Sequence, residues 1–218
     1  MINNRFSSIF WDFGGVLTSS PFEAFNKYEK SSGLPKDFIR KVNSTNPDKN
    51  AWALLEQSKI SLEKFDSLFS KESNELGYKV KGADVIELLK GDIRPEMVNV
   101  LRLLKEKGFQ QACLTNNFDS GDKDVSPLDD ANEDRAKIMD IFDFIIESKD
   151  VGVRKPDFDF YKISLEVTNA NPKNIIFLDD LGINLKTAKS MGMTTIKVLN
   201  PSQAINDLEK TLGISLKV

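Results

Sequence analysis

Two aspartates stand side by side after four apolar residues in the run Ile175-Ile176-Phe177-Leu178-Asp179-Asp180. Like charges that close repel unless a cation lies between them. An Asp that caps the next helix accounts for one of the two acids, but not for both. A third acid, Asp12, follows Ile9-Phe10-Trp11 and precedes Phe13-Gly14-Gly15. With Asp12 and the pair on neighbouring strands, the three carboxylates form a hard, all-oxygen set that suits Mg²⁺. Taken alone, Asp12 also reads as an acid that ends a strand and opens a turn. The two glycines let the backbone turn there and come close to a ligand.

Two further stretches carry polar groups at similar places. Leu114-Thr115-Asn116-Asn117 offers a hydroxyl, amides and main-chain N–H groups able to hold a phosphate or carboxylate; a polar turn has the same composition. In Gly152-Val153-Arg154-Lys155-Pro156-Asp157, Pro156 sits near a helix start and Lys155 is a candidate cation for an anionic substrate. A solvated lysine is the plainer reading of Lys155 alone. Each signal is modest. Together they fall at predicted strand ends in the order acid, hydroxyl, lysine, paired acids.

The rest of the composition narrows the chemistry. The 218 residues include no histidine and one cysteine, Cys113. A Ser-His-Asp triad, a Cys-His pair and a His-ligated zinc site are therefore excluded. Acid, base and metal chemistry falls to carboxylates, amines, hydroxyls and the backbone. Cys113, in Gln-Ala-Cys-Leu-Thr, reads as a buried strand residue. The net charge of −3 makes the chain a poor general partner for nucleic acid or an anionic membrane surface. The N-terminus does not read as a signal peptide, and no apolar stretch approaches the ~20 residues that span a bilayer. A cytoplasmic protein without membrane or nucleic-acid partners is the expectation.

Short apolar runs at Ser8–Trp11, Gln111–Leu114, Phe144–Ile146, Asn174–Leu178 and Thr194–Val198 predict strands. Most lack alternation, as strands of a parallel sheet covered on both faces do. Helical periodicity lies between them at Pro95–Lys107, Phe158–Thr168 and Asn184–Met191. The pattern predicts an α/β fold, a Rossmann-like parallel sheet core from residues 1–18 and 92–218. Residues 19–91 show only helical patterns, at Phe22–Glu29, Lys36–Val42, Ala51–Gln57, Leu62–Leu76 and Asp84–Leu89. They predict an inserted helical cap. Within it Trp52, Phe22, Phe25 and Phe65 read as cap core more than as pocket wall. The polar segment Asp119–Asp134 reads as a solvated loop, since it lacks the spacing of a calcium-binding hand.

This order of motifs, with a helical insertion after the first, resembles the haloacid dehalogenase-like hydrolase superfamily over nearly the full chain. The stretches LTNNF, VGVRKPD and FLDDLGINLKTAKSMGMTTIKV look most like the amino-terminal phosphatase domain of soluble epoxide hydrolases. They also resemble the related domain of some acyl-CoA dehydrogenases. The resemblance implies a phosphatase acting on a small phosphorylated metabolite. Asp12 is then the nucleophile that becomes an aspartyl-phosphate. Thr115 and Asn116 hold the phosphoryl oxygens, and Lys155 neutralises charge on nucleophile and phosphate. Asp12, the Gly14 carbonyl and Asp180 ligate Mg²⁺, with Asp179 helping through water. A carboxylate nucleophile is already ionised at neutral pH and needs no histidine to activate it.

The sequence departs from that pattern at Gly14. Family phosphatases usually carry a second Asp there, which protonates the leaving group and then activates water. General acid–base catalysis is worth ~10²–10⁴-fold, so its loss implies a slow or specialised enzyme. Three readings follow: Thr18 or a cap residue such as Glu23 supplies the proton, the substrates have good leaving groups such as acyl or sugar-anomeric phosphates, or the aspartyl-phosphate lingers and gives phosphotransferase or weak activity. Haloacid dehalogenases also lack the second Asp and use no metal, but they do not keep the acid pair seen at Asp179 and Asp180. The same residues also suit a phosphonate hydrolase that needs a cap lysine, or a degenerate domain that binds a phosphorylated ligand or a protein partner.

Overall fold

A computed structural model of the chain describes residues 5–89, 91–117 and 133–216. Five short strands form its sheet: β1 (Ser8–Trp11), β2 (Gln110–Thr115), β3 (Phe144–Glu147), β4 (Ile175–Asp179) and β5 (Thr194–Lys197). All neighbours pair parallel, in the spatial order β3-β2-β1-β4-β5. The helices in chain order are α1 (Pro21–Ser31), α2 (Phe38–Ser44), α3 (Ala51–Glu56), α4 (Leu62–Glu75), α5 (Gly82–Glu87), α6 (Pro95–Glu106), α7 (Glu133–Met139), α8 (Ser148–Val151), α9 (Phe158–Thr168), α10 (Gly182–Ser190) and α11 (Pro201–Leu212).

Successive side chains of the central strands enter two different apolar cores. Ile9, Trp11, Cys113, Ile176 and Leu178 join α6 and α11 on one face. Phe10, Ala112, Leu114, Ile175 and Phe177 join α9 and α10 on the other. Both faces are dry, so both members of each alternating pair are apolar. That is why the strand sequences run as continuous hydrophobic stretches.

The periodicity of the sequence did not single out α11, although its punctuation is present. Asn200 accepts the Gln203 N–H at 2.9 Å as an N-cap, Pro201 opens the helix and Gly213 closes it at φ +70. Ala204, Leu208 and Leu212 form its buried face. The segment 119–134 lies outside the described residues up to position 132, and α7 begins at Glu133.

Two compact units result. The described residues up to Ser19, from Asp92 to Asn116 and from 133 onward form the sheet unit; those from Ser20 to Gly91, together with Asn117, form a helical unit. In the sheet unit the two connecting segments are bonded together. Thr18 bridges Ile93, Ser19 N–H donates to Asp92 O at 2.7 Å, and Arg94 N–H donates to Leu17 O at 2.8 Å. In the helical unit α1–α5 share a core centred on Phe25, Ile39, Phe65, Phe69 and Val85, with Phe22 and Trp52 packed against it. The four aromatic residues singled out in the sequence are thus part of that unit's own packing. Among the described residues no helix is long and apolar enough to cross a membrane.

Candidate active site

Strand register brings the acids together. Trp11 pairs with Leu178, and the Asp12 N–H donates to the Leu178 carbonyl at 2.8 Å. Asp12 and Asp179 therefore end neighbouring strands side by side. The chain order reverses between β1 and β4, the place where open α/β sheets bind ligands. One oxygen each from Asp12, Asp179 and Asp180 lies within 4.8 Å of the others.

Gly15 makes room for this cluster. A Cβ there would stand 2.2 Å from Asp180 Oδ2, and φ is +75. Both facts demand glycine. Gly14 differs: a Cβ there meets nothing within 4 Å, and its φ is outside the left-handed region.

Lys155 is fully buried and is held between two of the acids. Its Nζ lies 2.9 Å from Asp12 Oδ1 and 2.8 Å from Asp179 Oδ2. Burial alone would lower its pKa, but Asp12 and Asp179 outweigh that and hold the ammonium above the ordinary lysine range. Asp12 is raised as well, with burial as the main cause. Burial raises its pKa, Lys155 opposes the rise, and Asp179 and Asp180 add to it; the net position is well above the usual carboxylate range. Its Oδ1 also accepts the Phe13 N–H at 2.7 Å, whereas Oδ2 makes no hydrogen bond among the described residues.

Asn116 follows β2 and clamps the lysine loop. Its Oδ1 accepts the Lys155 N–H at 2.9 Å and its Nδ2 donates to the Lys155 carbonyl at 3.0 Å. The side-chain amide thus positions the main chain of Lys155. Thr115 is buried at the end of β2, next to β1 in the sheet. Thr18 is also buried, and its hydroxyl donates to the Ser19 carbonyl at 3.2 Å.

One buried partner was not anticipated. Asn184 Nδ2 donates to Asp179 Oδ1 and Oδ2 at 3.1 and 3.0 Å, and the Leu181 N–H reaches Oδ1 at 2.7 Å. The Tyr161 hydroxyl in turn donates to the Asn184 carbonyl at 2.9 Å. The signal in the sequence is a polar amide five residues after a strand-end acid, inside the first turn of the next helix. With Lys155, Asp179 accepts four hydrogen bonds and is saturated. Asp12 Oδ2 is the carboxylate oxygen without a hydrogen bond among the described residues.

Three carboxylates face one ammonium in a largely dry setting, so the site holds excess negative charge when all are ionised. The oxygen-only donor set and the close approach at Gly15 fit a hard divalent cation such as Mg²⁺.

A parallel sheet wound by helices, with an acid, a lysine and an acid pair at one edge, is the arrangement of a hydrolase class that the sequence also matches. The model of the haloacid dehalogenase-like hydrolases matches residues 6–192, and the chain belongs to that family. It is 34% identical over 216 residues to mouse bifunctional epoxide hydrolase 2, a match covering 93% of this chain and 38% of that protein. It is 32% identical over 217 residues to mouse acyl-CoA dehydrogenase family member 10, covering 97% of this chain and 20% of that one. The chain thus spans about two-fifths or less of the length of these relatives. A relative of similar length is the sesquiterpene phosphatase astK of Aspergillus oryzae, 26% identical over 95% of this chain and 97% of that protein. Among solved structures, a haloacid dehalogenase family enzyme from Bacteroides thetaiotaomicron, in complex with magnesium and inorganic phosphate, shares the fold. Its TM-score is 0.60 at 23% identity, over 88% of this chain and 93% of that one.

Proposed function

We propose that the protein is a Mg²⁺-dependent phosphatase that hydrolyses a small phosphorylated metabolite through an aspartyl-phosphate on Asp12. The observation that carries this reading is the state of Asp12. One of its oxygens is held by Lys155 and the Phe13 N–H, and the other is unengaged among the described residues. That is how a positioned carboxylate nucleophile is built.

Phosphoryl transfer asks mostly for positioning and charge neutralisation. Lys155, fixed by Asp179 and by the Asn116 clamp, supplies a permanent cation beside the attacking carboxylate. Thr115 and the main chain at Asn116 orient the phosphoryl oxygens. Asp12, Asp180 and the Gly14 carbonyl would hold Mg²⁺, which would neutralise charge on the phosphate and on the acids. The phosphatase relative astK supports the same reaction class.

The acid cluster weighs against a metal-independent dehalogenase, which has no use for the excess negative charge around Asp180. A phosphonate hydrolase needs a desolvated lysine for imine formation, and every described lysine of the helical unit is exposed. A panel of phosphate esters assayed with and without Mg²⁺ tests the proposal. Mg²⁺-dependent phosphate release is expected, falling on the order of 10³-fold or more in Asp12→Asn. Metal-independent halide release from haloacids, or full phosphatase activity in Asp12→Asn, would sink it.

A further inference from the structure

We infer that the preferred substrates are phosphates whose leaving group departs as a stable anion, acyl phosphates above all, rather than alkyl phosphate esters. The inference rests on the phosphatase reading and names the substrate class of that same site. It starts from the contrast between the two glycines. Packing and backbone both require glycine at position 15, where a Cβ would strike Asp180. Neither requires it at position 14, where a Cβ meets nothing within 4 Å. The site therefore has room for a proton-transferring side chain at position 14 and carries none.

In the first half-reaction an Asp12 oxygen bonds to phosphorus and the P–O bond to the leaving group breaks. The bonding electron pair departs on the leaving oxygen. An alkoxide needs a proton as it leaves, and a placed acid is worth ~10²–10⁴-fold there. A carboxylate leaving group has a conjugate acid near pKa ~4 and needs no proton at neutral pH. Water then attacks phosphorus, the P–Oδ bond breaks, the Asp12 carboxylate returns, and the water proton passes to solvent. This second half is the same for every substrate. Selectivity between leaving groups is therefore decided in the first half and is read in kcat/KM.

Four other groups of the sheet unit are bonded elsewhere or shut in the core. Lys155 serves Asp12 and Asp179 at once. The Thr18 hydroxyl points to the Ser19 carbonyl and the Tyr161 hydroxyl to the Asn184 carbonyl. Cys113 is fully buried in the apolar core on one face of the sheet. A leaving group that needs protonation finds no acid in this set.

The test is a free-energy relation at saturating Mg²⁺, using acetyl phosphate, a series of substituted phenyl phosphates and glycerol phosphate. The logarithm of kcat/KM is expected to fall steeply with leaving-group pKa, with acetyl phosphate ahead of glycerol phosphate by about 10²–10⁴-fold or more. In Gly14→Asp the slope flattens, and the ratio of alkyl to acyl kcat/KM rises toward the same ~10²–10⁴-fold; Gly14→Asn leaves the slope steep. A shallow slope in the native protein, with glycerol phosphate within about tenfold of acetyl phosphate, overturns the inference while the phosphatase reading stands. Turnover of no member of the panel overturns both. The native slope decides even if Gly14→Asp does not fold.

Discussion

At the scale of single residues, the two adjacent glycines do different jobs. Gly15 sits at φ +75 with its missing Cβ aimed at the Asp180 carboxylate, 2.2 Å from Oδ2. Gly15→Ala adds left-handed strain and a clash with a charged group that is also the proposed cation ligand. It is expected to cost about 1–3 kcal/mol in urea denaturation and to weaken Mg²⁺ binding by about tenfold or more in calorimetry, roughly 1.4 kcal/mol. Gly14→Ala, with open space around its Cβ, is expected to change stability by less than about 1 kcal/mol. Equal losses for the two would show that the Asp180 contact does not define this turn. Asn184 belongs to the same scale. It contributes no charge, but its two bonds to Asp179 leave that acid facing Lys155 with a fixed geometry.

At the scale of elements, the sheet is held in register partly by side chains that reach across segments. Gln111 accepts the Trp11 indole N–H at 2.6 Å and donates to the Leu101 carbonyl at 2.7 Å, tying β1, β2 and α6. Asp143, just before β3, pairs with Lys105 of α6 and accepts the Gln111 N–H at 2.8 Å. Its small burial pushes the Asp143 pKa up, but the Lys105 ammonium and the Gln111 N–H outweigh that and hold it below the usual carboxylate value. A lowered native pKa means that the unfolded chain binds more protons in that range. The stabilisation is then complete at neutral pH and is lost as pH falls through the native value. Asp143→Asn is expected to cost up to about 1 kcal/mol at neutral pH, as a partly exposed pair does. In strongly acidic buffer the variant and the native protein converge. Urea midpoints at the two pH values check this, and a deficit that persists in acid would refute the ion-pair account.

At the scale of the whole molecule, the site stores electrostatic repulsion that a bound cation would relieve. Asp12 binds its proton more tightly in the native state than in the unfolded chain. The sign follows from linkage: where the native state holds more protons, stability falls as pH rises from the ordinary carboxylate range through the raised native value. A divalent cation takes the place of that proton and binds best to the ionised acids. Mg²⁺ is therefore expected to raise Tm more at about pH 8 than at about pH 5, by a few degrees at saturating metal. The difference should vanish in Asp180→Asn. Scanning calorimetry at both pH values measures it, and an Mg²⁺ shift independent of pH would argue that the ion binds elsewhere.

Much of this was legible in the residues themselves. Apolar runs between helical repeats located all five strands to within a residue or two at each end. The acids at the ends of β1 and β4, the hydroxyl at the end of β2 and the lysine before α9 stood out because a polar group at the end of a buried strand needs a reason. The helical character of residues 20–91 also followed from periodicity alone. What the sequence could not show is which atoms share a proton or a charge. Asp179 and Asp180 are equivalent as letters. Strand register and the turn into α10 place the first against Lys155 and Asn184, and the second against Gly15. The sequence names Asn116 but not which of its atoms is engaged: its side-chain amide is bonded to both main-chain groups of Lys155. These assignments depend on contacts of about 3 Å between groups five to 39 residues apart. Hydrogen-bond direction and burial decide them only once the strands are paired and the loops closed, and no local pattern encodes either.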